Sequence, residues 1–152
     1  MSWLIALLVC AVAAAFEGFC AGRDPMGQLR ALRQPRWAPP NWMWVLIGLG
    51  WYAICFAALV RLLPGWPGTR RAIVLLVALM LANGAANLLQ FRLRRLDLAF
   101  LFLFPYWLLL AGLLWVVCPL DRLICTLFGI YAVYQLYAAA WGWSLWRMNR
   151  AP

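Results

Sequence analysis

The polar side chains able to do chemistry are few, and they lie inside apolar stretches of the sequence. Glu17 is the one carboxylate well inside such a stretch, and an ionisable group at that depth suggests a functional site. Two roles stay open for it: a structural one, in which it pairs with Arg23 or is protonated, and contact with a ligand or partner. Asn83 and Asn87 are spaced i, i+4, so their amides share one helix face and can hydrogen-bond a neighbouring helix or a bound molecule.

Catalytic chemistry finds little support in these residues. The chain has no histidine, and its four acids are scattered, so no group of nucleophile, base and acid can be assembled. Histidine metal sites and histidine haem ligation are excluded as well. The five cysteines form no C-x-x-C pair and lie in or beside apolar runs, which favours buried free thiols over disulfides or metal ligands. We therefore predict a protein that is not an enzyme and requires no cofactor or metal.

The composition is that of an integral membrane protein. Hydrophobic residues make up 68% of the chain and charged residues only 11%, whereas a soluble domain is about half apolar and roughly a quarter charged. The net charge of +9 comes from arginines that lie mostly between the apolar runs. They therefore indicate membrane-interface charges and not a nucleic-acid-binding surface.

Five apolar runs of about 20 residues each are long enough to cross a hydrocarbon core of about 30 Å. We predict a single membrane domain spanning 1–152, with helices at about 3–22, 41–63, 71–91, 96–117 and 123–146. No Lys or Arg precedes the first run, so we expect a retained helix and not a cleaved signal peptide. Pro105 should kink the fourth helix. Residues 23–40 form the one long polar, proline-bearing loop.

The distribution of arginines predicts an orientation. With five spans, nine of the 13 arginines lie on the side of the 23–40 loop and the C-terminus, and four lie on the other side. The loop and the C-terminus should therefore face the cytoplasm, with the N-terminus outside. Tryptophans near the run ends indicate an interfacial aromatic belt: Trp3, Trp42, Trp44, Trp66, Trp115, Trp143 and Trp146.

A motif with specific residue spacing lies in the loop and at the start of the second helix. It reads Pro35-Arg36-Trp37-Ala38-Pro39-Pro40-Asn41-Trp42, with Tyr52 ten residues further on. This resembles the P-x-W-x-P-P-x-W signature of the TspO/translocator-protein family, the tryptophan-rich sensory proteins. The resemblance continues through Asn83 and Tyr131 to the terminal Trp146-Arg147-Met148-Asn149. It implies an all-α membrane protein, a five-helix bundle of TspO type.

The resemblance also implies a ligand site. The family binds porphyrins, sterols and drug-like molecules in a cavity enclosed by the five helices and covered by the proline-rich loop. The matching cavity-side positions, together with the neighbouring Asn87, are Trp37, Trp42, Tyr52, Asn83, Ala86, Asn87, Leu98, Tyr134 and Ala138. Glu17 is a further candidate for a buried polar contact. Ala86 and Leu98 replace cavity tryptophans that were linked to porphyrin breakdown, so we do not predict that activity.

Two functions follow as hypotheses. In the first, the protein binds a tetrapyrrole such as a porphyrin, a carotenoid or a lipid, as a sensor or transporter, and loop arginines meet the propionates of a porphyrin. In the second, it is a non-catalytic accessory subunit of a larger membrane assembly, such as a bacterial photosynthetic pigment-protein complex. We expect membrane lipids as neighbours, a homodimer or larger complex as the assembly, no nucleic acid as a partner, and the bacterial inner membrane as the location.

Overall fold

The computed structural model describes residues 1–150, which form helices joined by short turns. The helices are α1 (Ser2–Ala21), α2 (Pro25–Ala31), α3 (Asn41–Leu62), α4 (Arg70–Asn87), α5 (Leu96–Leu101), α6 (Leu103–Val117) and α7 (Arg122–Met148). A 3₁₀ turn, Leu63–Gly65, prolongs α3, and a π-helical turn, Leu88–Arg92, prolongs α4. Five stretches are long and apolar enough to cross a membrane: α1, α3, α4, α5 with α6, and α7. The predicted all-α, five-helix membrane bundle is confirmed.

The five membrane stretches close into a ring. Helix α1 packs against both α3 and α4, α4 packs against α6, and α5 and α6 pack against α7. Contacts between α7 and α3 complete the circuit. Every membrane helix therefore has at least two neighbours, and the inner faces of all five enclose a common interior.

Local sequence explains where the helices begin and end. Helix α1 stops at Gly22, whose φ of 84° is a left-handed conformation that glycine adopts without strain. Pro40 precedes α3 in an extended conformation, which suits a helix start. Asp121 caps α7, because its carboxylate accepts hydrogen bonds from the backbone N–H groups of Leu123 and Ile124 at 2.9 and 3.1 Å.

The fourth membrane stretch is interrupted, as the proline in it predicts. Helix α5 ends at Leu101 and α6 begins at Leu103, leaving Phe102 in a turn. Pro105 has no N–H to donate to the carbonyl of Leu101, and its ring crowds that carbonyl, so the regular helix breaks one turn before the proline.

Packing is uneven along the bundle. One large apolar core fills the half opposite the loop, where side chains such as Leu59, Leu76, Leu110 and Phe128 are fully buried. A second, small cluster of Leu29, Trp141 and Leu145 lies at the loop end. The interior between these two clusters is where a cavity can form.

The 23–40 segment contains a helix that we predicted as loop. Helix α2 begins with Pro25 in its first turn, and Asp24 caps it by accepting a hydrogen bond from the backbone N–H of Gly27 at 2.8 Å. A helix of seven residues is too short for its hydrophobic spacing to stand out in a stretch that also carries prolines and arginines. Its single buried residue, Leu29, attaches it to the small cluster.

Side chains in and just after the last helix hold this segment across the end of the bundle. Asn149 accepts a hydrogen bond from the backbone N–H of Arg33 at 2.9 Å and donates one to the Arg33 carbonyl at 3.0 Å. Trp141 donates its indole N–H to the side-chain oxygen of Gln34 at 3.2 Å. The asparagine of the terminal W-R-x-N motif therefore acts as a clamp on the loop.

The cysteines divide into two groups. Cys10, Cys20 and Cys55 are buried free thiols, in agreement with the prediction. Cys118 and Cys125 instead form a disulfide, so the prediction is wrong for this pair. The short turn between α6 and α7 folds back on itself and brings their Cα atoms to 4.6 Å.

The Asp121 cap of α7 should make the thermal stability of the protein depend on pH in the acidic range. Arg61 donates from its Nε to an Asp121 oxygen at 2.6 Å, and this bond lowers the pKa of the Asp121 carboxyl below its ordinary value of 3.8. The stabilisation is therefore complete above that ordinary pKa and is lost as the pH falls through the lower native value. We expect Asp121→Asn to lower the midpoint of thermal unfolding and Asp121→Ala to lower it further, because alanine removes the cap as well as the charge. A wild-type midpoint unchanged from neutral pH down to pH about 2 would contradict this.

Loss of the Asn149 clamp should loosen the loop without unfolding the membrane helices. Asn149→Ala removes the two hydrogen bonds that hold the loop, each worth about 0.5–1.5 kcal/mol net, so amide exchange at Arg33 should accelerate by roughly tenfold or more. Hydrogen exchange followed by mass spectrometry measures this directly. Asn41→Ala is the matched control, since the Asn41 side chain forms no hydrogen bond within residues 1–150. Equal acceleration in both variants would rule out the clamp.

Candidate functional site

A cavity of about 320 Å³ opens between the helices at the loop end of the bundle. Its walls come from all five membrane stretches and from α2, which contributes Pro25, Met26 and Leu29. The lining is mostly apolar and aromatic, with a few polar side chains on α1, α4 and α7. This combination is typical of sites for small hydrophobic ligands, which span about 300–1,000 Å³.

The main polar feature of the cavity wall is the carboxylate of Glu17. One of its oxygens accepts a hydrogen bond from the Tyr52 hydroxyl at 2.7 Å, and the other accepts one from the Asn87 amide at 2.8 Å. These bonds connect α1 to α3 and to α4. Neither ion pair found within residues 1–150 includes Glu17, so the predicted alternative of pairing with Arg23 is not realised.

A glycine on α4 allows Glu17 and Asn87 to meet. Gly84 is buried against α1, and a Cβ at this position would lie 2.7 Å from the Phe16 ring and 3.5 Å from the Glu17 Cα. A residue with a Cβ would have to displace the Phe16 ring, and a longer side chain would also crowd the α1 backbone at Glu17. Close approach through small residues is the usual way in which membrane helices bring polar groups into hydrogen-bonding range.

A second polar chain forms the deep end of the cavity. The hydroxyls of Tyr106 and Tyr131 are 2.6 Å apart, and the Gln135 amide donates to the Tyr131 hydroxyl. All three side chains are buried. Trp51 stacks on Tyr131 with ring centroids 4.5 Å apart, and its indole N–H has no acceptor within residues 1–150. The deep wall is thus aromatic with its hydroxyls already paired.

Tryptophans also form the side of the cavity nearest the loop. Trp44 and Trp141 lie with ring centroids 4.5 Å apart, and both line the cavity. The predicted interfacial role therefore does not describe Trp44, because its ring packs inward on α7. Trp141 is buried and also hydrogen-bonds the loop through Gln34, so this aromatic pair joins the cavity wall to its cover.

Six of the predicted site residues lie on the cavity wall. They are Glu17, Asn83, Ala86, Asn87, Tyr134 and Ala138. Tyr52 is not part of the wall, but it holds the Glu17 carboxylate from behind. The side-chain amides of Asn83 and Gln90 form no hydrogen bond within residues 1–150, so both are free to bond a ligand.

Three of the predicted site residues lie elsewhere. Trp37 sits on the loop, where its ring packs edge-on against Tyr137 at 5.5 Å. Trp42 is 62% exposed on the outer side of α3, and Leu98 is 37% exposed on α5. None of the three lines the cavity. Their part in ligand binding stays a prediction from the family resemblance.

Helical spacing could have identified several wall residues that were not predicted, among them Trp44, Trp51 and Trp141. On α3, Trp44, Gly48 and Trp51 follow at i, i+4 and i+7, and all three line the cavity. On α7, Tyr134, Ala138 and Trp141 repeat the same spacing. Tyr106 has the same spacing from Ala99 and Leu103, but those two residues are neither polar nor aromatic, so the pattern does not single it out from the rest of an apolar stretch.

The arrangement is suited to binding and offers no grouping for catalysis. The cavity presents one carboxylate, free amides and aromatic faces. No group of three or more cysteine, aspartate or glutamate side chains able to hold a metal ion occurs in the part of the chain that the structure describes. No arginine belongs to the cavity wall. The chemistry available is hydrogen bonding to a ligand and stacking against it.

Comparison with known proteins agrees with this architecture. The model of the TspO/MBR family matches residues 6–147 of the 152-residue chain. The match includes nearly all of the five membrane stretches, the loop with α2 and the cavity between them. No curated protein matches the chain. The chain belongs to the TspO/MBR family.

Proposed function

We propose that this membrane protein binds a hydrophobic small molecule in the cavity between its helices, as a sensor or transporter. The observation that carries the proposal is a cavity of about 320 Å³ with aromatic walls and a single carboxylate, held by Tyr52 and Asn87. Aromatic faces supply stacking surface, and the few polar groups orient the ligand. The absence of a catalytic grouping in the wall favours binding over turnover.

The carboxylate sets the polarity of the ligand. An ionised carboxylate offers about four lone-pair sites, and Tyr52 and Asn87 occupy two of them. Glu17 can therefore accept a further hydrogen bond from the ligand, for example from a pyrrole N–H of a tetrapyrrole or a hydroxyl of a lipid. An anionic group at this end of the cavity would meet a like charge and no arginine, so the propionates of a porphyrin do not belong here.

The volume of the cavity also favours some ligands over others. At about 320 Å³ it lies at the lower end of the range for drug-sized molecules. A compact ligand of a few rings, or one arm of a larger ligand, suits this space. The loop held by Asn149 covers the cavity end, so entry of a larger body would require the loop to move.

Orientation in a bacterial inner membrane, with the loop and C-terminus cytoplasmic, remains part of the proposal. The arginine distribution supports it. The Cys118–Cys125 disulfide supports it as well, because it lies on the face assigned to the outside, where oxidising conditions let disulfides persist.

An accessory role in a larger membrane assembly is the alternative. It draws on the outer face of α6, where Phe104, Leu108 and Trp115 are 61–85% exposed. Acyl chains cover such a face as readily as a protein partner does, because both are apolar. The cavity therefore argues more specifically for ligand binding.

Filling the cavity should weaken binding. Ala138 lines the cavity, whereas Ala140 is exposed on the outer side of the same helix. We expect saturable quenching of tryptophan fluorescence when protoporphyrin is titrated into the purified protein. Ala138→Phe should weaken the apparent affinity at least about tenfold by occupying the ligand space, while Ala140→Phe should leave it within about twofold. Quenching that fails to saturate, or that responds equally to both substitutions, would contradict the proposal.

The charge of Glu17 should discriminate between two forms of the same probe. Protoporphyrin dimethyl ester lacks the two carboxylates of the diacid, so it should bind about tenfold more tightly because no negative charge approaches Glu17. Glu17→Gln keeps the shape of the side chain and should narrow this difference to about twofold. Parallel fluorescence titrations of both probes measure it. Tighter binding of the diacid to the wild type would show that the ligand's polar end lies elsewhere.

A further inference from the structure

A second concavity lies at the loop end of the bundle between α1 and α4, next to the cavity, with which it shares the lining residues Ala21 and Phe91. We call it the arginine groove. Three arginines surround it, Arg23, Arg92 and Arg94, and Gln28 of α2 adds an amide. Its floor is apolar and includes Gly18, Phe19 and Gly22 at the end of α1. The groove therefore combines a positive rim with a hydrophobic base.

None of the three rim arginines forms an ion pair within residues 1–150. The ion pairs within residues 1–150 are Arg61 with Asp121 and Arg95 with Asp97, and neither includes a rim arginine. Arg92 is nevertheless held in place. Its guanidinium lies 4.7 Å from the centre of the Phe19 ring and donates to the Phe19 carbonyl at 3.4 Å. The remaining donors of this side chain are available to an anion.

The floor of the groove is open toward the lipid. Gly18 and Gly22 are one turn apart on α1, and a Cβ built at either position meets no atom within 4 Å. Phe19 beside them is 67% exposed. Because α1 crosses the membrane, its exposed side faces acyl chains. The groove thus continues from the arginines onto a smooth apolar surface.

The backbone around the groove is unusual. Gly22 and Arg94 are the two residues with positive φ in the part of the chain that the structure describes, at 84° and 54°, and both line the groove. Glycine tolerates this conformation, but arginine is strained by it. Strained residues of this kind concentrate at binding sites, where the surrounding structure holds a side chain in a required direction.

We propose that the arginine groove binds an anionic phospholipid, with the lipid phosphate against Arg23, Arg92 and Arg94 and one acyl chain along Gly18 and Gly22. Guanidinium groups bind phosphate oxygens through charge-assisted hydrogen bonds. The ends of α1 and α4 lie where phospholipid headgroups lie, which places the phosphate at the correct depth. Because no rim arginine is ion-paired within residues 1–150, the rim favours an anionic lipid over a zwitterionic one. This site does not depend on the ligand proposed for the cavity.

Competition between lipids tests the proposal. Purified, delipidated protein is given an equimolar mixture of phosphatidylglycerol and phosphatidylcholine in detergent, and bound lipid is counted by native mass spectrometry. We expect the wild type to retain mainly phosphatidylglycerol. The double variant Arg92→Gln with Arg94→Gln should reduce the preference for phosphatidylglycerol over phosphatidylcholine roughly 30-fold, because two positive charges near the membrane surface are lost. Arg70→Gln with Arg71→Gln is the matched control, because these exposed arginines begin α4 at its other end and lie outside the groove.

A second variant tests the acyl track without changing charge. Gly18→Leu should reduce retention of phosphatidylglycerol, and the open space at this position allows the protein to fold. Gly50→Leu is its control, since Gly50 is exposed on α3 with equally open space. The proposal would be overturned if the wild type retained both lipids equally. It would also be overturned if each control variant lost as much phosphatidylglycerol as the groove variant with which it is paired. Displacement of phosphatidylglycerol by millimolar inorganic phosphate would also overturn it, because the site would then recognise a soluble anion.

Discussion

The lack of water inside a bilayer is the constraint on which this structure depends. A polar side chain at membrane depth must find its hydrogen bonds within the protein or with a molecule that the protein encloses. Glu17 meets this requirement through Tyr52 and Asn87, so its carboxylate connects three of the five membrane stretches. The small residue at Gly84 favours these bonds, because a larger side chain would displace the Phe16 ring and crowd α1 at Glu17. The position of the carboxylate in turn decides which end of the interior is polar.

The rest of the bundle is arranged around this junction. Below it, fully buried side chains such as Leu76 and Phe128 fill the interior, and the Tyr106–Tyr131–Gln135 chain closes the packed half with its hydroxyls paired. Above it, the interior stays open and is walled by tryptophans. The loop covers that open end and is attached to α7 through Asn149 and Trp141. Packing and polarity thus divide one bundle into a rigid half and a binding half.

Much of this fold is predictable from sequence, because the length and apolarity of each run identify the membrane helices. The break before Pro105 follows from the missing N–H. Helix α2 is not predictable in the same way, since one buried leucine in seven residues does not produce a helical hydrophobic periodicity. The Cys118–Cys125 pair depends on the course of one turn, which spacing alone does not define. For the site, Asn83, Asn87 and Tyr134 are found from the sequence, but the inward direction of Trp44 emerges only once α3 is packed against α7.

The central claim is that a ligand enters the cavity and meets the carboxylate of Glu17. Glu17 is the single glutamate of the chain, so labelling glutamate with ¹³C at the carboxyl carbon yields one resonance that reports on this side chain alone. We predict that this resonance shifts saturably as a hydrophobic ligand is added, over the same concentrations at which tryptophan fluorescence is quenched. A resonance that stays unchanged while quenching reaches saturation would place the ligand elsewhere and contradict the account.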